Sequence, residues 1–436
     1  MTVAAATEAD DRRFMAEAIR LSLQHTGLTE TNPSVGCVIV KDGEIVGSAV
    51  TAIGGRPHAE TQAIAMAGEK TRGATAYVTL EPCAHWGRTP PCANALVAAG
   101  VSRVVVAVND PDPRVAGQGL KILADAGITV ETGLLEKEGR RALAGYLMRQ
   151  TSGRPYVTVK LAVSADGMLG RRGEEIAITS EVSRTTVHHL RAQNDAILVG
   201  AGTVLSDDPE LTVRLPGLED RSPIRIVLDR HGHLPQMSRL AKTAAQVPVI
   251  VAVVDGTPPS GLPAISTSRG ENDGAYAHPE PCRCGEDEHA DIRPRSEMTA
   301  SVVVQEGRES ASQQISALEG DVRGRTDARN AAATDAVTPK VRAGVEILHA
   351  ATLLDLLHTL ATRGISTLLV EGGATVVKAF LDAGLVDGII LFTSPTIVGE
   401  GGLESPLTPS DIPADFTLVG NAPFGRDRAY EYERSA

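Results

Sequence analysis

Three short segments in the first quarter of the chain hold residues that could bind a metal ion. They are His58-Ala59-Glu60, Glu81-Pro82-Cys83 and Pro91-Cys92. One imidazole and two thiolates are typical zinc ligands, and three protein ligands leave the fourth tetrahedral position open for water, as in catalytic zinc sites. Zinc lowers the pKa of such a water towards neutrality. We therefore predict a catalytic Zn²⁺ site with His58, Cys83 and Cys92 as its ligands.

Glu60 is the predicted catalytic residue beside this metal. On a regular helix two residues that are two positions apart diverge by about 200°. Glu60 and His58 can therefore converge only at an irregular first turn, and the preceding Gly54-Gly55-Arg56-Pro57 suits such a turn. There the carboxylate can take a proton from water and pass it to a leaving amine. This combination predicts hydrolytic deamination of an amino-substituted ring carbon.

Other uses of these residue types stay open. A structural zinc site needs a fourth protein ligand, for which His85 is the candidate, but that site would leave Glu60 without a role. Cys282 and Cys284, with His278 and His289 nearby, could also bind metal. We expect their segment to be disordered, which favours adventitious binding or no role at all. Cys37 lies within an apolar run and is expected to be a packed core residue.

The elements that must position these residues alternate between helices and strands. We expect a helix over 10–26 capped by Asp10 or Asp11, and then a hairpin at Asp42-Gly43. A helix should begin near His58. Further strands are predicted over 74–80, 101–108 and 127–133, and further helices over 92–99, 119–126 and 135–150. This alternation predicts an α/β sandwich whose sheet is largely parallel after the hairpin, ending at the break over 151–155.

A second α/β pattern follows, with turns that suit a phosphate group. Gly372-Gly373 ends a strand and opens a helix, so free N–H groups and the helix dipole would face a dinucleotide pyrophosphate. The segment over 200–203 predicts a similar turn, and each of these turns is weak evidence alone. Arg191 and Arg214 are candidates for contacts with a substrate phosphate.

Composition limits the classes of function. The 436 residues carry a formal net charge of −12, which disfavours nucleic-acid binding because acidic groups repel phosphate. Long apolar runs of membrane-spanning length are absent from the sequence. Five cysteines, without a secretory signal, predict a reducing compartment, here the cytoplasm. The segment over 255–340 is poor in apolar residues, and we expect a disordered, low-complexity insertion there.

The segments TNPSVGCVIVKDGEIVG, GGRPHAETQAI and GATAYVTLEPCAHWGRTPPCANALVAAGVSRVVVAVNDPDPRVAGQGL resemble one family. They are similar to the deaminase half of the bifunctional riboflavin-biosynthesis deaminase/reductase, in which the long loop between the two cysteines is itself the family pattern. VKLAVSADG (159–167), DAILVGAGTVLSDDPELTVR (195–214) and LVEGGATVVKAFL (369–381) resemble its reductase half. The resemblance covers about 30–150, 154–254 and 342–430.

The resemblance implies an α/β protein with two domains. The first, over 1–150, would be a cytidine-deaminase-like three-layer domain, and the second, over 154–436, a dihydrofolate-reductase-like domain interrupted by the insertion. The implied cofactors are Zn²⁺ and NADPH. The implied reactions are deamination of 2,5-diamino-6-(5-phosphoribosylamino)pyrimidin-4-one and then reduction of its ribosyl group to ribityl. We expect a homo-oligomer that acts on this small phosphoribosyl pyrimidine and binds neither nucleic acid nor membrane.

Site residues follow from the resemblance by position. Asn32 and His85 would contact the substrate of the deaminase half. The implied substrate contacts of the reductase half are Glu175, Arg191, Leu211, Arg214 and Glu371. The implied cofactor contacts are Ala162, Thr203, Asp207, Gly373, Ala374, Thr375, Val376, Val377, Lys378 and Ala379.

Two positions depart from the family's pattern. Ala165 and Ala177 stand where the family often has Leu and Trp, and the loss of an aromatic side chain would remove stacking area beside the cofactor. Two alternatives stay open. One is a deaminase with a non-catalytic second domain. The other is a zinc-stabilised nucleic-acid-binding protein, against which the acidic charge argues.

Overall fold

The computed structural model describes residues 7–86, 90–174, 176–232, 234–255 and 344–435. Within them the strands form a five-stranded sheet, a nine-stranded sheet and a separate two-stranded pair. The predicted insertion (beyond its first residue), Cys282, Cys284 and Glu175 lie outside the described residues. No described helix is long and apolar enough to cross a membrane.

The five-stranded sheet is built from the first part of the chain. Its strands are β1 (Gly36–Lys41), β2 (Glu44–Val50), β3 (Thr75–Leu80), β4 (Arg103–Val108) and β5 (Thr129–Thr132), in the order β2-β1-β3-β4-β5. The accompanying helices are α1 (Glu8–Ser22), α2 (Ala59–Ala67), α3 (Cys92–Ala99), α4 (Gln118–Asp125), α5 (Glu136–Ala142) and α6 (Ala144–Ser152). Strand β1 pairs antiparallel with β2 and β3, whereas β3, β4 and β5 are parallel.

The predicted hairpin is confirmed, and two helix predictions are corrected. Asp42 and Gly43 have φ of +52° and +81°, as a tight two-residue hairpin turn requires. The prediction that Asp10 or Asp11 caps α1 is wrong, because the Thr7 hydroxyl accepts the Asp10 N–H at 3.2 Å and forms a capping box. The predicted helix over 135–150 is two helices, because the backbone leaves helical geometry at Leu143 (φ −104°, ψ 10°).

The nine-stranded sheet is built from the rest of the chain. Its strands are β6 (Tyr156–Val163), β8 (Ala196–Gly200), β9 (Ile224–Leu228), β10 (Val249–Val254), β11 (Val345–Ala350), β12 (Thr367–Glu371), β13 (Gly388–Thr393), β15 (Phe416–Phe424) and β16 (Asp427–Arg434). The order is β11-β10-β9-β8-β12-β6-β13-β16-β15. The separate pair is β7 (Met168–Arg171) with β14 (Gly402–Glu404). The helices are α7 (Glu181–Ala192), α8 (Ala201–Asp207), α9 (Arg239–Lys242), α10 (Leu353–Thr362) and α11 (Ala374–Asp382).

The first seven strands of that order are parallel, and β16 and β15 complete the sheet antiparallel. Strands β8 and β12 are completely buried apart from the first residue of β12, as expected for strands covered on both faces. Because β8, β12 and β6 are adjacent and parallel, their carboxyl ends meet at one edge. Open α/β sheets bind ligands at such an edge.

Candidate active sites

His58, Cys83 and Cys92 come together beside the five-stranded sheet, as predicted. The Nδ1 atom of His58 lies 3.7 Å from the Cys83 sulfur and 3.4 Å from the Cys92 sulfur. All three ligand atoms lie within 4.8 Å of one another, and no other described His, Cys, Asp and Glu side chains form such a group. The group does not include His85, the candidate fourth ligand of a structural site. Two sulfurs and one nitrogen are a donor set that fits Zn²⁺.

The local backbone explains why these three residues meet. Cys83 follows the buried strand β3, Cys92 begins α3, and His58 is the extended N-cap residue of α2 (φ −70°, ψ 159°). The Cys92 N–H donates to the Cys83 sulfur at 3.3 Å. Hydrogen bonds from the Cys92 side chain, from His58 and from this N–H lower the pKa of the Cys83 thiol to about 4, despite its burial. Metal ions bind the thiolate form.

Glu60 lies in the first turn of α2, directly after this N-cap. The extended conformation of His58 is the irregular turn that the spacing predicts. The Glu60 carboxyl group is 3% exposed, and its Oε2 has no hydrogen-bond partner among the described residues. Burial raises the pKa of Glu60 above its usual value. This carboxyl group can therefore hold or accept a proton beside the ligand group.

Asn32 contacts the turn that leads to His58. A Cβ at Gly55, whose φ is +84°, would lie 2.3 Å from the Asn32 Nδ2 and 2.6 Å from the Thr29 carbonyl oxygen. Only glycine permits both this φ and this close approach. The Nδ1 of His85 is buried without a described hydrogen-bond partner. Trp86, the chain's only tryptophan, is 72% exposed three residues after Cys83.

Glu81 is a residue of this site whose role was not predicted. One carboxylate oxygen accepts the N–H groups of Gly119 (3.0 Å) and Leu120 (3.4 Å), and the other accepts those of Gly117 (3.1 Å) and Asp110 (3.3 Å). A Cβ at Gly119 would lie 2.0 Å from the Pro82 carbonyl oxygen. Glu81 thus fixes the loop after β4 against the segment that carries Cys83. In the sequence, the glycines at 117 and 119 are the feature from which this close backbone approach could have been predicted.

The second candidate site lies at the carboxyl edge of the nine-stranded sheet. Gly372 and Gly373 have φ of +76° and +77° and lead into the nine-residue helix α11. A Cβ at Gly373 would lie 3.2 Å from the Thr203 hydroxyl, so two predicted cofactor contacts are neighbours. A groove of about 450 Å³ is lined by Ala374, Thr375, Lys378, Ala379 and Asp382 on α11 and by residues 404–406. A glycine turn, a helix N-terminus and an adjoining groove fit a dinucleotide.

The other predicted cofactor residues differ in accessibility. The side chains of Val376 and Val377 are buried in the core of the sheet, so only their backbone could contact a cofactor. Ala162 lies partly buried in β6. Asp207 ends α8 and accepts a hydrogen bond from the Ser206 hydroxyl at 2.6 Å.

The predicted substrate contacts Arg191 and Glu371 form an ion pair with each other. The Arg191 Nε and Nη2 each donate to Glu371 at 2.8 Å, and the two side chains are 12% and 10% exposed. Burial lowers the pKa of the neighbouring Lys160, although the negative charge of Glu371 acts to raise it. Leu211 is buried with φ of +56°, and Arg214 is half exposed and pairs with Glu210 at 3.0 Å. The Arg191 Nη1 also donates to the Thr212 carbonyl at 3.3 Å, so the segment that carries Leu211 and Arg214 lies beside this ion pair.

Comparisons with known families match both parts of the chain. The model of the cytidine and deoxycytidylate deaminase zinc-binding region matches residues 8–108. The model of the RibD C-terminal domain matches residues 155–262 and 282–429.

Similar curated proteins are named riboflavin biosynthesis protein RibD. The one from Escherichia coli (strain K12) is 49% identical over 244 residues, which cover 53% of this chain and 66% of that protein. The one from Bacillus amyloliquefaciens is 34% identical over 387 residues, which cover 88% of this chain and 85% of that protein. The chain thus spans about two thirds of the first relative and most of the second.

Solved structures agree with this result. Acinetobacter baumannii RibD (form 1) is 32% identical, with a TM-score of 0.71 over 99% of this chain and 100% of that chain. A diaminohydroxyphosphoribosylaminopyrimidine deaminase/5-amino-6-(5-phosphoribosylamino)uracil reductase from Thermotoga maritima is 29% identical, with a TM-score of 0.70 over 98% of this chain and 99% of that chain.

Proposed function

Because the chain belongs to the RibD family, we propose that it catalyses two consecutive reactions of riboflavin biosynthesis. The first is hydrolytic deamination of 2,5-diamino-6-(5-phosphoribosylamino)pyrimidin-4-one, which consumes water and releases ammonia. The second is reduction of the ribosyl group of the product to ribityl, with NADPH as the reductant. The observation that carries the proposal is the His58, Cys83 and Cys92 group with the buried Glu60 two residues after His58.

In the deamination, His58, Cys83 and Cys92 hold the metal. Zn²⁺, when bound, supplies a water that loses its proton near neutral pH. The Glu60 carboxylate accepts the proton that this water loses and delivers it to the leaving amino group. Asn32 and His85 contact the pyrimidine and orient its amino-bearing carbon. The raised pKa of Glu60 suits this role, because a buried carboxyl group is easily protonated.

In the reduction, the carboxyl edge of the nine-stranded sheet binds both reactants. NADPH, when bound, supplies the hydride. The glycine turn at 372–373 and the start of α11 bind its pyrophosphate, with Thr203 beside the turn. The Arg191–Glu371 pair, Leu211 and Arg214 border the substrate. The two side chains of the pair are held in fixed positions, because both are largely buried and are hydrogen-bonded to each other.

We assign the deaminase to residues 1–150 and the reductase to residues 154–436. The substrate is a small phosphoribosyl pyrimidine, and no nucleic acid is required. The homo-oligomeric state and the cytoplasmic location stay predictions.

The experiment is an assay of ammonia release and NADPH oxidation on the full chain, with its zinc content measured. Glu60→Gln should slow ammonia release by about 10²–10⁴, the range for a lost acid–base group, while zinc stays bound. NADPH oxidation with the deaminated intermediate supplied should match the wild type. Near-normal ammonia release by this variant would refute the role of Glu60. If wild-type protein leaves NADPH unoxidised in the presence of the intermediate, the alternative of a non-catalytic second domain is correct.

A further inference from the structure

Helix α6 contacts both sheets, although neither candidate site includes it. A Cβ at Gly145 would lie 2.5 Å from the Thr367 Cγ2 and 2.9 Å from the Ser366 carbonyl oxygen, where β12 begins. Only glycine allows a helix to approach another segment this closely. The first turn of α6 is therefore seated directly on the nine-stranded sheet.

The same helix reaches two loops that border the metal-ligand group. The Tyr146 hydroxyl lies 2.9 and 3.1 Å from the two carboxylate oxygens of Asp110 and donates to them. The Arg149 guanidinium donates to the carbonyl oxygen of Thr31. Asp110 belongs to the loop that Glu81 fixes, and Thr31 directly precedes Asn32. Helix α6 thus contacts two loops near the metal-ligand group, one through Tyr146 and the other through Arg149.

The backbone around Thr31 transmits this support to Asn32. The Asn32 N–H donates to the Thr29 carbonyl at 3.0 Å, and the Thr29 hydroxyl donates to the Asn32 carbonyl at 2.7 Å. The Asn32 amide in turn packs against Gly55. Because the turn is closed at both ends, a displacement of the Thr31 carbonyl also displaces the Asn32 side chain.

Arg149 lies one turn after Gly145 on α6, the helix that packs against the start of β12. Its side chain is partly buried, and burial lowers the pKa of its guanidinium while the negative charge of Asp195 opposes this effect. Asp195 accepts the N–H groups of Ser366 at 2.7 Å and Thr367 at 3.0 Å, the residues that also contact Gly145. The Thr31 carbonyl is therefore connected, through Arg149 and helix α6, to the start of β12.

We propose that Arg149 is a positioning residue for the deamination: it fixes the Thr31 carbonyl and thereby holds Asn32 against the pyrimidine. The proposal rests on the deamination proposed above and on the assignment of Asn32 to its substrate. It makes the affinity of the deaminase site depend on a residue that touches neither substrate nor metal. It also makes that site depend on a sheet that carries a different reaction.

The test uses the full zinc-loaded chain and the diaminopyrimidine substrate. Arg149→Met removes a charge-assisted hydrogen bond. In the assay of ammonia release we expect the KM for the diaminopyrimidine substrate to rise about tenfold, while kcat stays within about twofold of the wild-type value. Arg149→Lys should restore most of the lost affinity, because an ammonium can donate to the same carbonyl. Arg140→Met is the matched control, since Arg140 lies exposed on α5 and pairs with Glu136 there. It should change neither reaction.

NADPH oxidation with the deaminated intermediate supplied is the internal reference and should be unchanged in Arg149→Met. An unchanged KM of ammonia release in that variant would overturn the proposal. Equal losses of both activities in Arg149→Met and Arg149→Lys would also overturn it, because they would show a general structural role. A wild-type protein that releases no ammonia would instead refute the proposed deamination, and this inference would fall with it.

Discussion

Glu81→Gln should loosen the loop after β4 while leaving all three metal ligands in place. The two carboxylate oxygens of Glu81 each accept two backbone N–H groups, at distances between 3.0 and 3.4 Å. Glutamine has nearly the same shape, but it replaces one of these oxygens by an NH₂ group. Two backbone donors would then face a third donor in a site that is 3% exposed.

The size of the effect follows from this count. A buried donor left without an acceptor costs about 1–3 kcal/mol. Two such donors, partly relieved by adjustment of the loop, should cost about 3 kcal/mol in total. Since about 1.4 kcal/mol corresponds to a factor of ten, the population of locally opened loop should rise about 100-fold.

Hydrogen exchange of the backbone amides over 110–120 measures this opening directly. We expect about 100-fold faster exchange at Gly117 and Gly119 in Glu81→Gln and little change in the nine-stranded sheet. Glu138→Gln, on the exposed face of α5, is the control for the change in charge. Exchange within about threefold of the wild type would refute the reasoning, because the four contacts would then contribute almost nothing.

Two further predictions concern the nine-stranded part of the chain. Arg191→Met leaves the buried Glu371 carboxylate without its partner and should lower the free energy of unfolding by about 3–5 kcal/mol. Arg214→Met breaks only the exposed pair with Glu210 and should change the free energy of unfolding by less than about 1 kcal/mol. Urea unfolding followed by circular dichroism compares the two variants, and equal losses of stability would contradict the assignment of the buried pair. Asp166 accepts hydrogen bonds from the Ser164 hydroxyl and from the N–H groups of Gly399 and Val398, which lower its pKa from 3.8 to about 2. The stabilising effect of the Asp166 carboxylate is therefore present above about pH 4 and is lost as the pH falls towards 2. The difference in Tm between the wild type and Asp166→Asn should narrow on acidification. A difference in Tm that stays constant with pH would contradict this prediction.

The sequence was most informative where the chemistry is local. The spacing of His58 and Glu60 and the preceding glycines predicted an irregular first turn, and the structure has His58 as an extended N-cap residue. Asp42-Gly43 predicted a hairpin because few other residues adopt two successive positive φ angles. Burial of Cys37 in β1 likewise agrees with its apolar surroundings.

The sequence was least informative where partners are distant or compete. Thr7, Asp10 and Asp11 are all good N-cap residues. In the structure Thr7 caps the helix, Asp10 completes the capping box, and Asp11 accepts hydrogen bonds from Tyr77 and Arg103. The pairing of Arg191 with Glu371 joins residues 180 positions apart, so no local pattern predicts it. Strand β15 is hard to predict from the sequence, because its side chains are largely exposed and it contains Gly and Pro residues, which are typical of loops.

Trp86 gives this protein a built-in optical probe. As the sole indole of the chain, it is solvent-exposed and close in sequence to Cys83, so its intrinsic fluorescence reports on one loop only. Changes in the surroundings of this loop can therefore be followed in real time without labels or added reporters. Emission changes would be free of any tryptophan background from the nine-stranded sheet.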